Sequence, residues 1–115
     1  METTAFSARV RQEANQAVID MHGDIDGSAE HELYDAYREA EKEGTSRIVL
    51  NFSEVEYINS TGIALIVGLL AQARKSRRGL AVFGLNSHYV EIFQITRLAD
   101  FMTIYPSEES ALATS

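Results

Sequence analysis

An α/β fold with a mixed, mostly parallel sheet is predicted by three features of this sequence. Short strand-like runs alternate with helical stretches along most of the chain, in the order β-β-α-β-α-β-α-β-α, which implies parallel strands joined by right-handed crossovers. Two of the runs, Ile48-Val49-Leu50 with Phe52 and Leu80-Ala81-Val82-Phe83, are apolar throughout, the pattern of central strands. The chain opens with two strand-like runs in succession, which adds an antiparallel edge strand at the N-terminus.

Met1 to Thr4 reads as a frayed end. From Ala5 to Gln12 the residues alternate, with Phe6, Ala8 and Val10 on one side and Ser7, Arg9 and Arg11 on the other: a half-buried strand. Glu13-Ala14-Asn15 reads as a hairpin turn, and the second strand runs from Ala17 to Met21, ending at His22-Gly23. Asp24 to Ser28 is a loop leading into a helix that Asp26 or Ser28 caps, with Glu30 and Glu32 in its first turn. Leu33, Tyr37 and Ala40 recur at helical spacing, and Gly44 stops that helix. A central strand spans Arg47 to Phe52.

The stretch Asn59 to Leu70 organises the chain. Asn59 and Ser60 are both N-cap residues by type, and past Gly62 the run is apolar on nearly every face, which predicts the most buried helix of the molecule. Gly68 reads as a close helix–strand contact. Arg74, Lys75, Arg77 and Arg78 read as charges suited to the helix C-terminus. After Gly79 comes a strand closed by Gly84. Asn86 or Ser87 caps a short helix carrying Val90, Phe93 and Leu98. Met102 to Tyr105 is a last short strand, Pro106 ends it, and Ser107-Glu108-Glu109 opens a terminal helix. A hydroxyl therefore stands at the positive tip of an interior helix, close to solvent, where a phosphate is well placed.

At 115 residues the chain is read as one domain, 1–115. It has no cysteine, which removes disulfides, thiolate metal sites and cysteine nucleophiles. No signal-peptide pattern and no membrane-length apolar run are seen, so a cytoplasmic location without membrane contact is expected. The net charge of −7 argues against direct nucleic-acid binding. Twelve of the seventeen acids lie between Glu13 and Glu56, and four of the ten basic residues between Arg74 and Arg78. Charge blocks of this size usually form two solvated surfaces of opposite sign; the sharper reading is an acidic face on which a basic partner docks.

The patterns of enzyme chemistry are absent. There is no GxxxxGK[ST] loop and no GxGxxG. His22, His31 and His88 have no zinc-ligand spacing, and capping or surface roles account for them better. Ser60 lacks the GxSxG elbow of an acyl nucleophile. Asp24 and Asp26 read more simply as a helix cap and a solvated acid than as a catalytic carboxylate pair. A phospho-aspartate receiver is excluded because the middle strand ends in Asn51-Phe52 rather than an acceptor aspartate, and because two strands open the chain. No catalytic residue, cofactor or metal is expected, and the chain is read as a non-enzyme.

Asn51 to Ile63, and above all Asn59-Ser60-Thr61-Gly62-Ile63, resembles the signature of STAS-domain anti-sigma factor antagonists: an apolar strand, a short loop, then Asp-Ser-Ser/Thr-Gly-Leu/Ile opening a long apolar helix. Gly23-Asp24-Ile25-Asp26 is similar to the family's Gly-Glu/Asp-Leu-Asp loop, and the later elements also fit, so the resemblance covers roughly the whole chain. It implies a STAS-like fold with Ser60 as the phosphoacceptor. Asp24, Asp26, Asn59, Thr61 and Gly62 become motif and partner-binding residues. Asn59 stands where the family pattern has Asp, a change that bears on kinase recognition and phosphate hydrolysis. The resemblance further implies partner switching. The unphosphorylated protein binds an anti-sigma factor that is also a serine kinase of the histidine-kinase-like ATPase type, phosphorylation at Ser60 releases it, and a PP2C-type phosphatase resets the switch. Two other classes stay open. One is a STAS scaffold or subunit of a membrane-transport or stressosome-type complex that is not phosphorylated. The other is a small nucleotide-binding or hydrolytic domain, against which the missing phosphate loop counts.

Overall fold

The computed structural model describes residues 4–42 and 45–113. Gly44, expected to stop the first helix, lies outside them, as do Met1 to Thr3. Five strands form one sheet in sequential order: β1 (Ser7–Glu13), β2 (Gln16–His22), β3 (Arg47–Glu54), β4 (Gly79–Phe83) and β5 (Thr103–Tyr105). β1 pairs antiparallel with β2, and every later pairing is parallel. The helices are α1 (Glu30–Ala40), α2 (Ser60–Lys75), α3 (Ser87–Ile95) and α4 (Glu108–Ala113). The expected element order and the antiparallel edge are both present.

Sequential strands with crossovers of one hand put the connecting helices on a single face. The main core accordingly joins Ile19, Met21, Ile48, Leu50, Phe52 and Val82 of the sheet to Leu33 and Tyr37 of α1, Ile66 and Leu69 of α2 and Phe93 of α3. This corrects the expectation for α2. The helix is not buried all round; Ser60, Thr61, Ala64, Val67 and Ala71 face solvent. In a single helix layer only one side of each helix meets the sheet. Gly68 is also a correction: its close contact is with another helix. A Cβ there would sit 2.2 Å from the Tyr34 hydroxyl of α1, which donates to the Leu65 carbonyl at 3.2 Å. Leu98 is buried as expected but lies in a 3-10 turn, Leu98–Asp100, because Arg97 turns left-handed (φ 69°) after α3 ends.

The other sheet face is covered by α4. Val18, Val49, Ala81 and Phe83 form a small second core with Ala111. A six-residue helix is too short to stand by itself, and it is held by side chains from the sheet. Arg47 donates to the Ala111 carbonyl at 2.5 Å, to Gln16 Oε1 at 2.7 Å and to the Tyr105 hydroxyl at 3.0 Å, while Gln16 donates to the Leu112 carbonyl at 3.1 Å. Arg11 grips Asp20 with two bonds, at 2.5 and 3.0 Å, and reaches Glu108 at 2.7 Å.

Arg47→Ala is expected to cost about 2–3 kcal/mol, since it strips a charged donor from several acceptors. Urea unfolding measures the loss, and amide exchange should rise first at residues 108–113. Acid should weaken the same face. Burial opposes ionisation of Asp20, but hydrogen bonds from Arg11 and Asn51 outweigh it and hold the carboxyl below its ordinary value of 3.8. A carboxyl depressed in the folded state stabilises above its unfolded pKa, and that stability is lost as pH falls through the folded value. Melting temperature should therefore drop below about pH 4, and Asp20→Asn should flatten that part of the profile.

Candidate functional site

The site is built at the carboxyl end of the sheet, where the loop after β2 crosses the start of α2. Ile25 and Ile58 form an isolated parallel bridge outside the sheet. The Ile25 amide donates to the Tyr57 carbonyl at 2.9 Å, and the Asn59 amide donates back to the Ile25 carbonyl at 3.2 Å. Gly62 lets this crossing close, because a Cβ at residue 62 would lie 2.0 Å from the Ile25 carbonyl oxygen. One turn further along the loop, Gly27 faces the Thr61 methyl group; a Cβ there would lie 3.5 Å away. The two motif segments, 24–28 and 59–62, are thus one structural unit.

Asn59 and Ser60 were equally eligible as caps, and the structure assigns the role to Asn59. Its backbone is extended (φ −88°, ψ −177°), and its Oδ1 accepts from the Gly62 amide at 2.8 Å. Ser60 is the first helical residue. It is exposed, and its hydroxyl has no hydrogen bond among the described residues. The amides of Ser60 and Thr61 belong to the first turn, which has no intrahelical acceptor. Their positive end faces outward beside a free hydroxyl.

Asp26 accepts from the Ser28 amide at 2.9 Å and from the Ser28 hydroxyl at 2.5 Å, capping the 3-10 turn Gly27–Ala29 that precedes α1. Those two bonds keep its pKa below the ordinary value, so the carboxylate is ionised at neutral pH. Asp24 ties down the N-terminal segment: it accepts from the Thr4 amide at 3.1 Å, and its own amide donates to the Thr4 carbonyl at 3.0 Å. Asp24, Glu54 and Glu56 line one depression with His22 and Thr4. Sequence reasoning missed Tyr89. From α3, its buried hydroxyl accepts from the Ile58 amide at 2.9 Å and fixes the segment leading into α2. The sequence marks Val90, Phe93 and Leu98 in this helix but not residue 89, whose local pattern says nothing of a hydroxyl aimed at another segment. Among the described residues no group of three or more His, Asp and Glu side chains is placed to hold a metal ion, and no helix is long and apolar enough to cross a membrane.

An unpartnered hydroxyl at a helix N-terminus, framed by a loop carrying a fixed carboxylate, can accept a charged group without rearrangement. The model of one family, described as "Mlab, STAS domain", matches residues 8–105, which includes this entire unit. The chain belongs to the STAS family. A curated relative, the anti-sigma-B factor antagonist of Staphylococcus aureus, is 29% identical over 91 residues, covering 79% of this chain and 84% of that protein. Among solved structures, an anti-sigma factor antagonist from Mycobacterium paratuberculosis superposes with a TM-score of 0.81 at 20% identity, covering 95% of this chain and 92% of that one. The Bacillus cell fate determinant SpoIIAA in its phosphorylated form gives 0.71 at 19% identity, covering 93% and 97%. At these identities the two structural matches show the fold.

Asn59→Ala should destabilise this STAS domain by about 1 kcal/mol, the worth of an N-cap, while Asn59→Asp should keep the cap. Gly62→Ala should cost more than Asn59→Ala, because a backbone carbonyl cannot yield as a flexible side chain does. Chemical denaturation of the three variants ranks them; a Gly62→Ala protein as stable as wild type would refute the close crossing.

Proposed function

We propose that this STAS protein is a phosphorylation-controlled anti-sigma factor antagonist. The unphosphorylated form binds and sequesters an anti-sigma factor that is also an ATP-dependent serine kinase of the histidine-kinase-like type. Phosphorylation at Ser60 releases it, and a PP2C-type phosphatase restores the binding form. In this reading the protein is a regulatory binding partner, not an enzyme. The observation that carries the reading is the free, exposed Ser60 hydroxyl at the start of α2, with the cap supplied by Asn59. The Staphylococcus aureus relative supports it, and so does the phosphorylated state of the SpoIIAA structure.

The transfer itself is simple. Ser60 Oγ forms a bond to the γ-phosphorus of ATP, the bond to the β-phosphate oxygen breaks, ADP leaves, and the hydroxyl proton passes to a base of the kinase. The product carries about −1.5 to −2 charge. At a helix N-terminus an anion is favoured by roughly 0.3–1 kcal/mol, so the fold survives phosphorylation. At the contact the same charge meets a partner whose active site holds nucleotide phosphates. Like charges across an interface cost several kcal/mol, and the complex comes apart.

Pull-down from native lysate with wild type, Ser60→Ala and Ser60→Asp, read by phosphopeptide mass spectrometry, tests this. Ser60→Ala should retain the kinase, Ser60→Asp should lose at least about tenfold of it, equivalent to 1.4 kcal/mol, and the wild-type phosphate should map to Ser60. Equal capture by all three proteins with no phosphate at residue 60 overturns the switch. A stable complex with a transporter subunit in that outcome would assign the chain to the scaffold class instead.

A further inference from the structure

Helices α1 and α2 leave a cleft of about 300 Å3 between them, the small end of the range for ligand pockets. Gly68 makes the room. With no side chain there, Tyr34 of α1 reaches across to α2 and donates to the Leu65 carbonyl at 3.2 Å. Tyr34 and Tyr37 wall the cleft on the α1 side and Gly68 and Leu69 on the α2 side, while Glu41 and Gln72 bring polar groups to it.

Two acceptors in this cleft are unused. The Tyr37 hydroxyl belongs to a residue only 2% exposed and has no hydrogen-bond partner among the described residues. Buried hydroxyls are otherwise nearly always paired, because hydration lost on burial has to be replaced. Burial, reinforced by the charge of Glu41, raises the phenol well above its ordinary pKa, so the group stays a neutral hydroxyl. Glu41 acts on it through charge, yet no hydrogen bond joins them. Glu41 itself, just past the end of α1, holds the second acceptor. Its Oε2 accepts from the Ser76 hydroxyl at 3.0 Å and from Gln72 at 3.5 Å, and lies 3.5 Å from Arg78. Every one of these ties falls on one carboxylate oxygen, and Oε1 accepts nothing among the described residues.

These groups select a chemical class. Two open acceptors, one of them on a carboxylate, match a cationic head with several N–H donors, and an ammonium has three. The other cation lining the cleft, Arg38, is already paired with Asp35, so an anion finds no free positive charge there. Tyrosine rings and the bare backbone of Gly68 suit a flat aromatic body.

We propose that the α1–α2 cleft binds a small arylalkyl amine, its ring against Tyr34 and the Gly68 backbone and its ammonium donating to Glu41 Oε1 and the Tyr37 hydroxyl. Gln72, whose bond to Glu41 is a long one at 3.5 Å, turns outward to admit the head group. The site is distinct from Ser60, which lies about 12 Å back along α2 at 1.5 Å per residue, and it does not rest on the switch proposed above. A bound amine would tie α1 to α2.

The test titrates the 15N-labelled full-length protein with phenethylamine and tyramine, and with 2-phenylethanol and phenylacetate as the neutral and anionic counterparts. Both amines should give saturable amide shifts centred on residues 34–41 and 68–72. 2-Phenylethanol should bind at least tenfold more weakly, and phenylacetate should give no saturable shift. Tyr37→Phe and Glu41→Gln should each weaken the amines about fivefold or more, and Gly68→Ala should abolish their binding by displacing Tyr34; melting curves check that each variant is folded. Without ligand, Tyr37→Phe should melt at or above the wild-type temperature, since it removes a hydroxyl that bonds to nothing. A clear fall in its melting temperature would mean that the hydroxyl is already satisfied inside the fold, and overturns the proposal. No saturable shift at these residues with either amine also overturns it, as does equal binding of phenethylamine and 2-phenylethanol. Amine shifts centred instead on Asp24, Glu54 and Glu56, and unchanged by Tyr37→Phe, would show general attraction to an acidic surface and overturn it as well.

Discussion

The Ile25 carbonyl passing over Gly62 is the contact on which the site depends. It brings a loop from the end of β2 onto the first turn of a helix that follows β3, two segments more than thirty residues apart in the chain. A methyl group at residue 62 would fill the space the carbonyl occupies, at 2.0 Å. With the crossing closed, backbone bonds between Ile25, Tyr57 and Asn59 lock both segments, and Tyr89 pins Ile58 from behind. Main-chain bonds thereby set the path of both segments, and the side chains of Asn59, Asp26 and Tyr89 finish the job by holding amides of the first turns and of the connecting segment.

The layering follows from strand order. Because β2 to β5 lie side by side in sequence order, all three crossover helices share one face, and the opposite face is left to a single short helix at the end of the chain. Arg47 and Gln16 satisfy carbonyls at the end of that helix, the task that a longer helix or a glycine C-cap would otherwise perform. The same arrangement leaves α2 with an outer side. A helix sandwiched between sheet and solvent normally shows charges outward; α2 shows Ala64, Val67 and Ala71.

Much of the fold was legible in the residues because each strand is marked by its own run of β-branched and apolar side chains and each boundary by Gly, Pro, Asn or Asp. The two motif segments, 24–26 and 59–62, were each legible in the residues, and the structure adds that the Ile25–Gly62 crossing joins them. What stayed hidden are facts of partnership across the chain. Gly68 announces a close contact but not with whom, and the partner proved to be Tyr34. Asn59 and Ser60 are chemically equal as caps, and only the backbone angle of residue 59 decides between them. Ala64, Val67 and Ala71 read as core because small apolar residues on a surface look no different in sequence from small apolar residues inside. Tyr89 shows helical periodicity and nothing of its hydroxyl.

In the proposed switch, the one-residue offset between the cap, Asn59, and the acceptor, Ser60, has a consequence for control. Had Ser60 been the N-cap, its Oγ would hold a first-turn amide, and phosphorylation would have to break that bond, at a cost of about 1 kcal/mol, before any benefit from the helix dipole. Modification would then couple to helix stability, and the signal would be spent partly on the fold. With Asn59 taking the Gly62 amide, the hydroxyl of Ser60 is free, and a phosphate added there would meet the helix dipole without breaking a hydrogen bond of the fold. The neutral side chain at residue 59 sharpens this: an aspartate would cap equally well but would place a second negative charge beside the phosphate, whereas asparagine caps without one. In the proposed switch the energy of phosphorylation is therefore directed outward, to the partner resting against the tip of α2.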